Sequence, residues 1–346
     1  SWLTWPWGYD WLMAKLVQVW LFFAPATDSM LIITHMAVYW IFINALLLLL
    51  AGVLLELPVS AIALVMLGFA LSPLTQSLHG VGFVDHHYVE YTFILATLVT
   101  GLAWFRRPES SGRAALLGIT LGIAPAFHTG LFVLQAPVLF TLFLLWLRGL
   151  TPPKDGMMAL VIALTLAILA AVIPSEPFQQ GQFQFAVLSW FHLYIGAVFT
   201  LFIACMARYE FTVRRLIFFG LLGLALLIPI WQDTIGGANF LSQRIKLLSN
   251  ISETRSPLQL ITGPNGFQIV TGYYSVLGLL LPLLIPLYIY RAWKATTGAQ
   301  LFLSVMVVMG VVLLLTQYRL NYFGSFAIIL AWLIPLYERF PELRSK

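Results

Sequence analysis

Apolar residues in this sequence run in long unbroken blocks, and that limits the possible folds more than any motif does. Eleven blocks can be marked, at 30–54, 61–78, 88–105, 114–127, 129–147, 157–174, 186–206, 216–231, 274–290, 299–316 and 321–337. Crossing a bilayer as a helix takes about 20 such residues. In lipid only helices and closed barrels can pair every backbone N–H and C=O internally. The blocks are continuous rather than alternating, which excludes a barrel. The expected fold is therefore all-α, a polytopic transmembrane helical bundle of about eleven spans. Charged residues make up 9% of the 346, against about 25% in soluble domains, which excludes a soluble enzyme. Cys205 is the only cysteine, so there is no internal disulfide.

Two segments stand apart from the blocks. Residues 1–29 hold Trp2, Trp5, Trp7, Trp11 and Trp20 around an apolar run too short to span. Such aromatic-rich stretches favour the headgroup layer, so 1–29 is read as the interfacial part of an external loop. The rest, 30–346, is the transmembrane domain, with a long external loop at 232–273 that has no apolar span. A loop of that length is usually functional or disordered. The chain starts at Ser1 with no charged leader before its first apolar stretch, so no signal peptide is expected and the reading frame is expected to extend upstream.

Charge sets the sidedness. The net charge is +5, but the basic residues form no single patch, and no nucleic-acid partner is expected. Arg106, Arg107, Arg113, Arg148, Lys154, Arg208, Arg214, Arg215, Arg291, Lys294, Arg339, Arg344 and Lys346 fall on one side of the expected bundle. The positive-inside rule makes that side cytoplasmic. Lys15, Arg244, Lys246, Arg255 and Arg319 fall on the opposite, outward side, which also carries most of the unusual polar sequence.

Three outward segments can do chemistry. The first is Asp85-His86-His87, just before a span. In extended backbone alternate residues point the same way, so Asp85 and His87 can share a divalent ion while His86 points elsewhere. Mixed oxygen and nitrogen ligation suits Mn²⁺ better than Mg²⁺. Asp85 as a helix N-cap reads the same residues without a metal, and Glu90 reads as an acid answering the helix dipole. The second is Asn250-Ile251-Ser252-Glu253-Thr254-Arg255. Here Glu253 and Arg255 are either functional or ordinary solvated loop residues, and Asn250-Ile251-Ser252 fits a glycosylation acceptor. The third is Gln317-Tyr318-Arg319, whose guanidinium either grips a phosphate or snorkels from a helix end. Asp10, Asp28, His35, His79, His128, His192, Glu176 and Asp233, taken singly, read as interface or packing residues.

Taken in order, these motifs resemble the catalytic subunit of oligosaccharyltransferase, especially its archaeal and bacterial single-subunit forms, which have a GT-C-type membrane domain. The resemblance implies transfer of a glycan from a polyprenyl phosphate or diphosphate donor to an asparagine side chain of an acceptor polypeptide. It implies a divalent cation, Mn²⁺ or Mg²⁺, held by Asp85, His87 and Glu253. Asp85 and Glu253 would be catalytic and Arg319 would face the donor phosphates, with His86, Asp10 and Arg255 as further candidates. It also implies a prokaryotic plasma membrane with the site on its external face. Asn250 departs from the usual Ser or Thr of the Glu253 motif, and no Trp-Trp pair occurs in the sequence. The family's first helix, first-loop aspartate and soluble domain are expected to lie outside these residues. Asp10 sits at the far end of the first loop and is a poor substitute for that aspartate. Two other readings stay open. One is a GT-C enzyme that transfers a lipid-linked sugar to a lipid or hydroxyl acceptor. The other is a secondary transporter, which the scarcity of ionisable residues within the spans disfavours.

Overall fold

The computed structural model of the chain describes residues 6–230, 256–316, 323 and 329–340. Regular structure among them is helical throughout. In order, the helices are α1 (Trp7–Phe23), α2 (Ser29–Leu54), α3 (Val59–Leu71), α4 (Pro73–Leu78), α5 (His87–Arg106), α6 (Ser111–Ile123), α7 (Gln135–Leu147) and α8 (Lys154–Val172). They continue with α9 (Glu176–Gln179), α10 (Trp190–Arg208), α11 (Val213–Leu226), α12 (Pro257–Ile261), α13 (Gly266–Leu279), α14 (Leu284–Lys294), α15 (Gly298–Thr316) and α16 (Ile329–Arg339).

Among the described residues, 7 helical stretches are long and apolar enough to cross a membrane: Ser29–Leu54, His87–Arg106, Thr129–Leu147, Lys154–Val172, Trp190–Arg208, Val213–Ile230 and Gly298–Thr316. Of the other expected spans, 61–78, 114–127 and 274–290 are broken into shorter helices, and proline explains each of them, whereas 321–337 lies partly outside the described residues. Proline lacks the N–H a helix needs and crowds the preceding turn. The block 61–78 divides into α3 and α4 at Ser72-Pro73, with Ser72 held extended (φ −64°, ψ 126°), as a residue before proline prefers. The block 114–127 ends in a 3-10 turn at Ala124–Ala126, around Pro125. The block 274–290 divides at Leu281–Leu283, around Pro282.

The segment 232–273, expected as a long external loop without an apolar span, is mostly helical in its described part, from Ser256 onward. Pro257 opens α12, and Ser256 and Gln259 cap it reciprocally, a pattern that satisfies two otherwise unpaired N–H groups. Asn265, at φ 55°, turns the chain into α13. Those turn residues mask the helical spacing of Phe267, Val270 and Thr271 in the sequence. Residues 232–255 lie outside the described residues.

The chain forms two compact units, one from Ser1–Gly8 with Ala103–Ile251, the other from Tyr9–Leu102 with Ser252–Lys346. In the first, α6 packs on α8 through Gly118 and Gly122. A Cβ on Gly118 would lie 2.6 Å from the Leu160 carbonyl oxygen, and one on Gly122 2.7 Å from that of Leu164. Small residues four apart let membrane helices approach this closely, where dispersion forces replace the missing hydrophobic drive.

In the second unit, α5 packs on α15 at Gly101, where a Cβ would meet the Phe302 ring at 2.3 Å. A buried polar network ties α2 to α5. Asn44 Nδ2 donates to the Tyr88 carbonyl (3.1 Å) and pairs with His79 Nε2 (3.0 Å). Asn44 Oδ1 accepts from Thr92 Oγ1 (2.6 Å), which itself accepts from Trp40 Nε1 (2.7 Å). His79 Nδ1 bonds the Thr75 carbonyl oxygen at 2.8 Å. Each amide hydrogen of Asn44 thus has an acceptor, as a polar group inside a bilayer requires.

Candidate metal centre

The site grows from the turn that starts α5. Asp85 sits in a bend, His86 in the turn and His87 in the first helical position. The His86 carbonyl accepts from the N–H groups of Val89 (2.9 Å) and Glu90 (3.0 Å). This turn replaces the extended backbone expected from the sequence, and it changes which side chains meet. Asp85 Oδ2 lies 3.2 Å from His87 Nε2, so those two side chains converge. Asp85 Oδ1 contacts His86 Nδ1, so His86 does not point elsewhere but joins them. The Asp85 carboxylate also accepts the His86 N–H at 2.7 Å, one residue short of the donors a capping aspartate normally takes.

Behind this group stands Glu90, which the sequence showed only as a dipole-answering acid. Its Oε1 is 2.7 Å from His86 Nε2 and 3.4 Å from His87 Nδ1. The missed signal is the spacing: Glu90 follows the two histidines by four and three residues, so one helical turn stacks them. Side-chain exposure falls from 47% at Asp85 through 15% at His87 and 6% at His86 to 3% at Glu90. The cluster therefore has one carboxylate facing outward and one sealed inside.

Aromatic side chains frame it. The Tyr9 ring meets His86 edge-on at 6.2 Å. The Tyr9 hydroxyl bonds that of Tyr88 at 3.0 Å, and the His86 and His87 rings lie 4.5 Å apart. Burial raises the Tyr9 phenol above its usual range, against the Tyr88 hydrogen bond, and Asp85 and Asp10 add to the rise. Burial alone would discourage charge on Asp85 and His86 as well. For Asp85 the His86 hydrogen bond and the two imidazole charges win, and its carboxyl is held at about 2. For His86 the bonds to Asp85 and Glu90 win, and its imidazole is raised to about 9.

Asp85, His86 and His87 each offer one ligand atom, and these atoms lie within 4.8 Å of one another. Atoms so spaced, one carboxylate oxygen and two imidazole nitrogens, suit Mn²⁺ or Zn²⁺ better than Mg²⁺, which prefers oxygen. The residues present therefore fit a divalent ion. Asp10 is exposed in the first turn of α1 and is not a member of this group. Glu253, Arg255, Arg319 and Asp233 lie outside the described residues. Asp28 caps α2 through the Met30 N–H (2.9 Å), His35 bonds the Leu31 carbonyl oxygen (2.8 Å), and His192 forms a capping box with Ser189 on α10. Glu176 holds Gln180 (2.8 Å). All four, like His79, serve packing or capping.

No protein-family model and no curated protein matches the sequence. Solved structures do. The archaeal oligosaccharyltransferase AglB from Archaeoglobus fulgidus, in complex with an inhibitory peptide and a dolichol-phosphate, is 17% identical with a TM-score of 0.67, over 96% of this chain and 43% of that one. The Archaeoglobus fulgidus oligosaccharyltransferase tethered to an acceptor peptide containing the NVT sequon is 14% identical with a TM-score of 0.69, over 98% of this chain and 42% of that one. The same enzyme's complex with Zn and sulfate is 15% identical with a TM-score of 0.64, over 98% and 42%. This chain thus spans less than half the length of the solved chains it matches, and over almost all of its own length it has the all-helical fold of the archaeal oligosaccharyltransferases.

Proposed function

We propose that this protein transfers a glycan from a polyprenyl phosphate or diphosphate carrier to asparagine side chains of polypeptides, using a divalent ion held by Asp85, His86 and His87. The observation that carries the reading is the convergence of these three side chains at the mouth of a helix of spanning length, in a chain with the oligosaccharyltransferase fold. Charged groups at such a boundary are costly and seldom kept without a role. The known neighbours hold a dolichol-phosphate, an acceptor peptide, and Zn with sulfate, all of which agree with the proposal.

In the reaction the anomeric carbon exchanges its bond to the carrier phosphate for one to the amide nitrogen, and the displaced amide proton passes to the released carrier phosphate or to water. Negative charge builds on the phosphate oxygens as the sugar leaves. A divalent ion, when bound, supplies positive charge to those oxygens. Arg319, by the resemblance, is the guanidinium that would answer the same oxygens. Both interactions strengthen as charge develops, so they favour the transition state over the ground state. The amide is a weak nucleophile because its nitrogen lone pair is delocalised, the cause of an ~18–20 kcal/mol rotational barrier. Glu253 accepts the two amide N–H bonds and holds the side chain out of conjugation. Asp10 is the more peripheral candidate, being exposed and not a member of the cluster.

By this reading the protein is integral to a prokaryotic plasma membrane, with its site on the external face. Helix α1 then lies in the outer headgroup layer. Exposed Trp11, Trp20, Phe22 and Phe23 on α1 suit that placement. The test is transfer by the full-length protein in lipid vesicles, from a lipid-linked glycan to a peptide with an Asn-x-Thr sequence. Asp85→Ala and Glu253→Gln should abolish product while the protein stays folded. Near-normal product from either variant contradicts the assignment. Glycan found on a lipid or a serine hydroxyl instead of asparagine would move the protein to the related acceptor class.

A further inference from the structure

We infer that Glu90 is the positioning residue of this centre: one buried carboxylate oxygen that sets which nitrogen each of two adjacent histidines turns toward Asp85. The inference rests on the metal reading above and extends it to a residue outside the ligand set.

The geometry is reciprocal. His86 shows Nε2 to Glu90 Oε1 (2.7 Å) and Nδ1 to Asp85 Oδ1. His87 shows Nδ1 to the same Glu90 Oε1 (3.4 Å) and Nε2 to Asp85 Oδ2 (3.2 Å). The two rings are thus used in opposite senses, and each has its inner nitrogen on Glu90 and its outer nitrogen on Asp85. A neutral imidazole carries one N–H and one lone pair. With a metal bound each ring is neutral, and if its N–H is turned toward Glu90, His86 Nδ1 and His87 Nε2 become the lone-pair atoms facing the exposed carboxylate. A carboxylate behind a ligating histidine fixes tautomer and ring orientation and raises ligand basicity, and losing such a partner typically costs ~10–100-fold in metal affinity.

Position in the fold makes Glu90 suited to this work. It lies in the first turn of α5, where the helix dipole favours negative charge. Its side chain is 3% exposed, so the two imidazoles face a fixed acceptor rather than exchanging water. A mixed His-Nδ1 and His-Nε2 pair from consecutive residues is otherwise hard to arrange, because neighbouring side chains on a helix diverge by roughly 100°. Placing His86 in the turn and His87 on the helix, with one acceptor a turn below, removes that divergence.

Glu90→Leu removes the acceptor, whereas Glu90→Gln keeps an oxygen at the same reach without the charge. Mn²⁺ binding to the full chain in lipid nanodiscs, followed by electron paramagnetic resonance, should weaken ~10–100-fold in Glu90→Leu. It should weaken distinctly less in Glu90→Gln. Wild-type affinity in Glu90→Leu overturns the inference. A wild-type protein that takes up no Mn²⁺ overturns the metal reading, and this inference with it. The wild type also gives a direct readout that does not depend on how a variant folds. With ¹⁵N-labelled histidine and ¹¹³Cd²⁺, metal–nitrogen coupling should appear at His86 Nδ1 and His87 Nε2, with N–H protons on His86 Nε2 and His87 Nδ1. Coupling at His86 Nε2 or His87 Nδ1 contradicts the assignment.

Discussion

His79 and His86 sit in the same compact unit, and their surroundings could hardly differ more. His79 belongs to a closed network. Thr75 and Asn44 bond His79, and Asn44 links on to Tyr88, Thr92 and, through Thr92, Trp40, all by neutral hydrogen bonds. Burial lowers the His79 pKa, against its Thr75 bond, so the ring stays neutral. His86 belongs to an open network, held between a sealed carboxylate and an exposed one, and is raised to about 9. The contrast separates structural from chemical use of a buried histidine. A network that satisfies itself joins helices. By the proposed reading, a network whose donors converge on an exposed acid serves a ligand that comes from outside.

Breaking the open network should cost function. His87→Ala should lower transfer ~100-fold or more, measured as glycopeptide formed in vesicles, while far-UV circular dichroism stays unchanged. Breaking the closed one should cost stability. Asn44→Leu leaves His79 Nε2 and the Tyr88 carbonyl without their amide donor. A loss of ~0.6–1.7 kcal/mol is expected, the range of interhelical hydrogen bonds in membranes, read from unfolding in detergent. Mn²⁺ uptake should survive that change.

The two histidines should also respond to pH with opposite signs in metal-free protein. A raised imidazole pKa means the folded state holds the proton more tightly. The His86 contribution is therefore full below its ordinary value of 6.5 and is lost as pH rises through about 9. A lowered pKa means the reverse, so the His79 contribution is full above 6.5 and declines as pH falls below it. Asp85, held at about 2, contributes fully above its ordinary 3.8 and loses that contribution as pH falls through about 2. Histidine-selective NMR should show a ring that titrates near pH 9 and vanishes in His86→Asn, and a His79 ring still neutral below pH 6.5. The smallest effect belongs to Asp10→Asn. Asp10 is exposed and outside the cluster, and its loss should change stability by no more than about 0.5 kcal/mol and leave transfer near wild type.

Much of this was readable in the residues before any coordinates. The unbroken apolar blocks dictated an all-helical membrane fold, and Asp85 with His87 stood out because charge is expensive at a span's edge. What escaped depended on backbone detail. Assuming extended backbone at Asp85 sent His86 away, whereas the turn at His86 brings it in. Only with the helix starting at His87 does Glu90 fall beneath both rings. Nothing in the apolar run around Asn44 points to its partners, His79, Tyr88 and Thr92, which lie far along the chain. Pro73, Pro125 and Pro282 marked the divided blocks, but composition alone does not tell a kinked span from two short helices. The helix at Gly266–Leu279 was hidden because Gly263, Pro264, Asn265 and Gly266 read as a loop.

The central claim is that Asp85, His86 and His87 form a divalent-ion site. Calorimetric titration of Mn²⁺ into the purified chain, run beside the Asp85→Ala/His87→Ala double variant, tests it most directly. One ion bound per wild-type chain and no measurable binding by the folded double variant is the predicted result. Equal binding by the two, or none by the wild type, would contradict it.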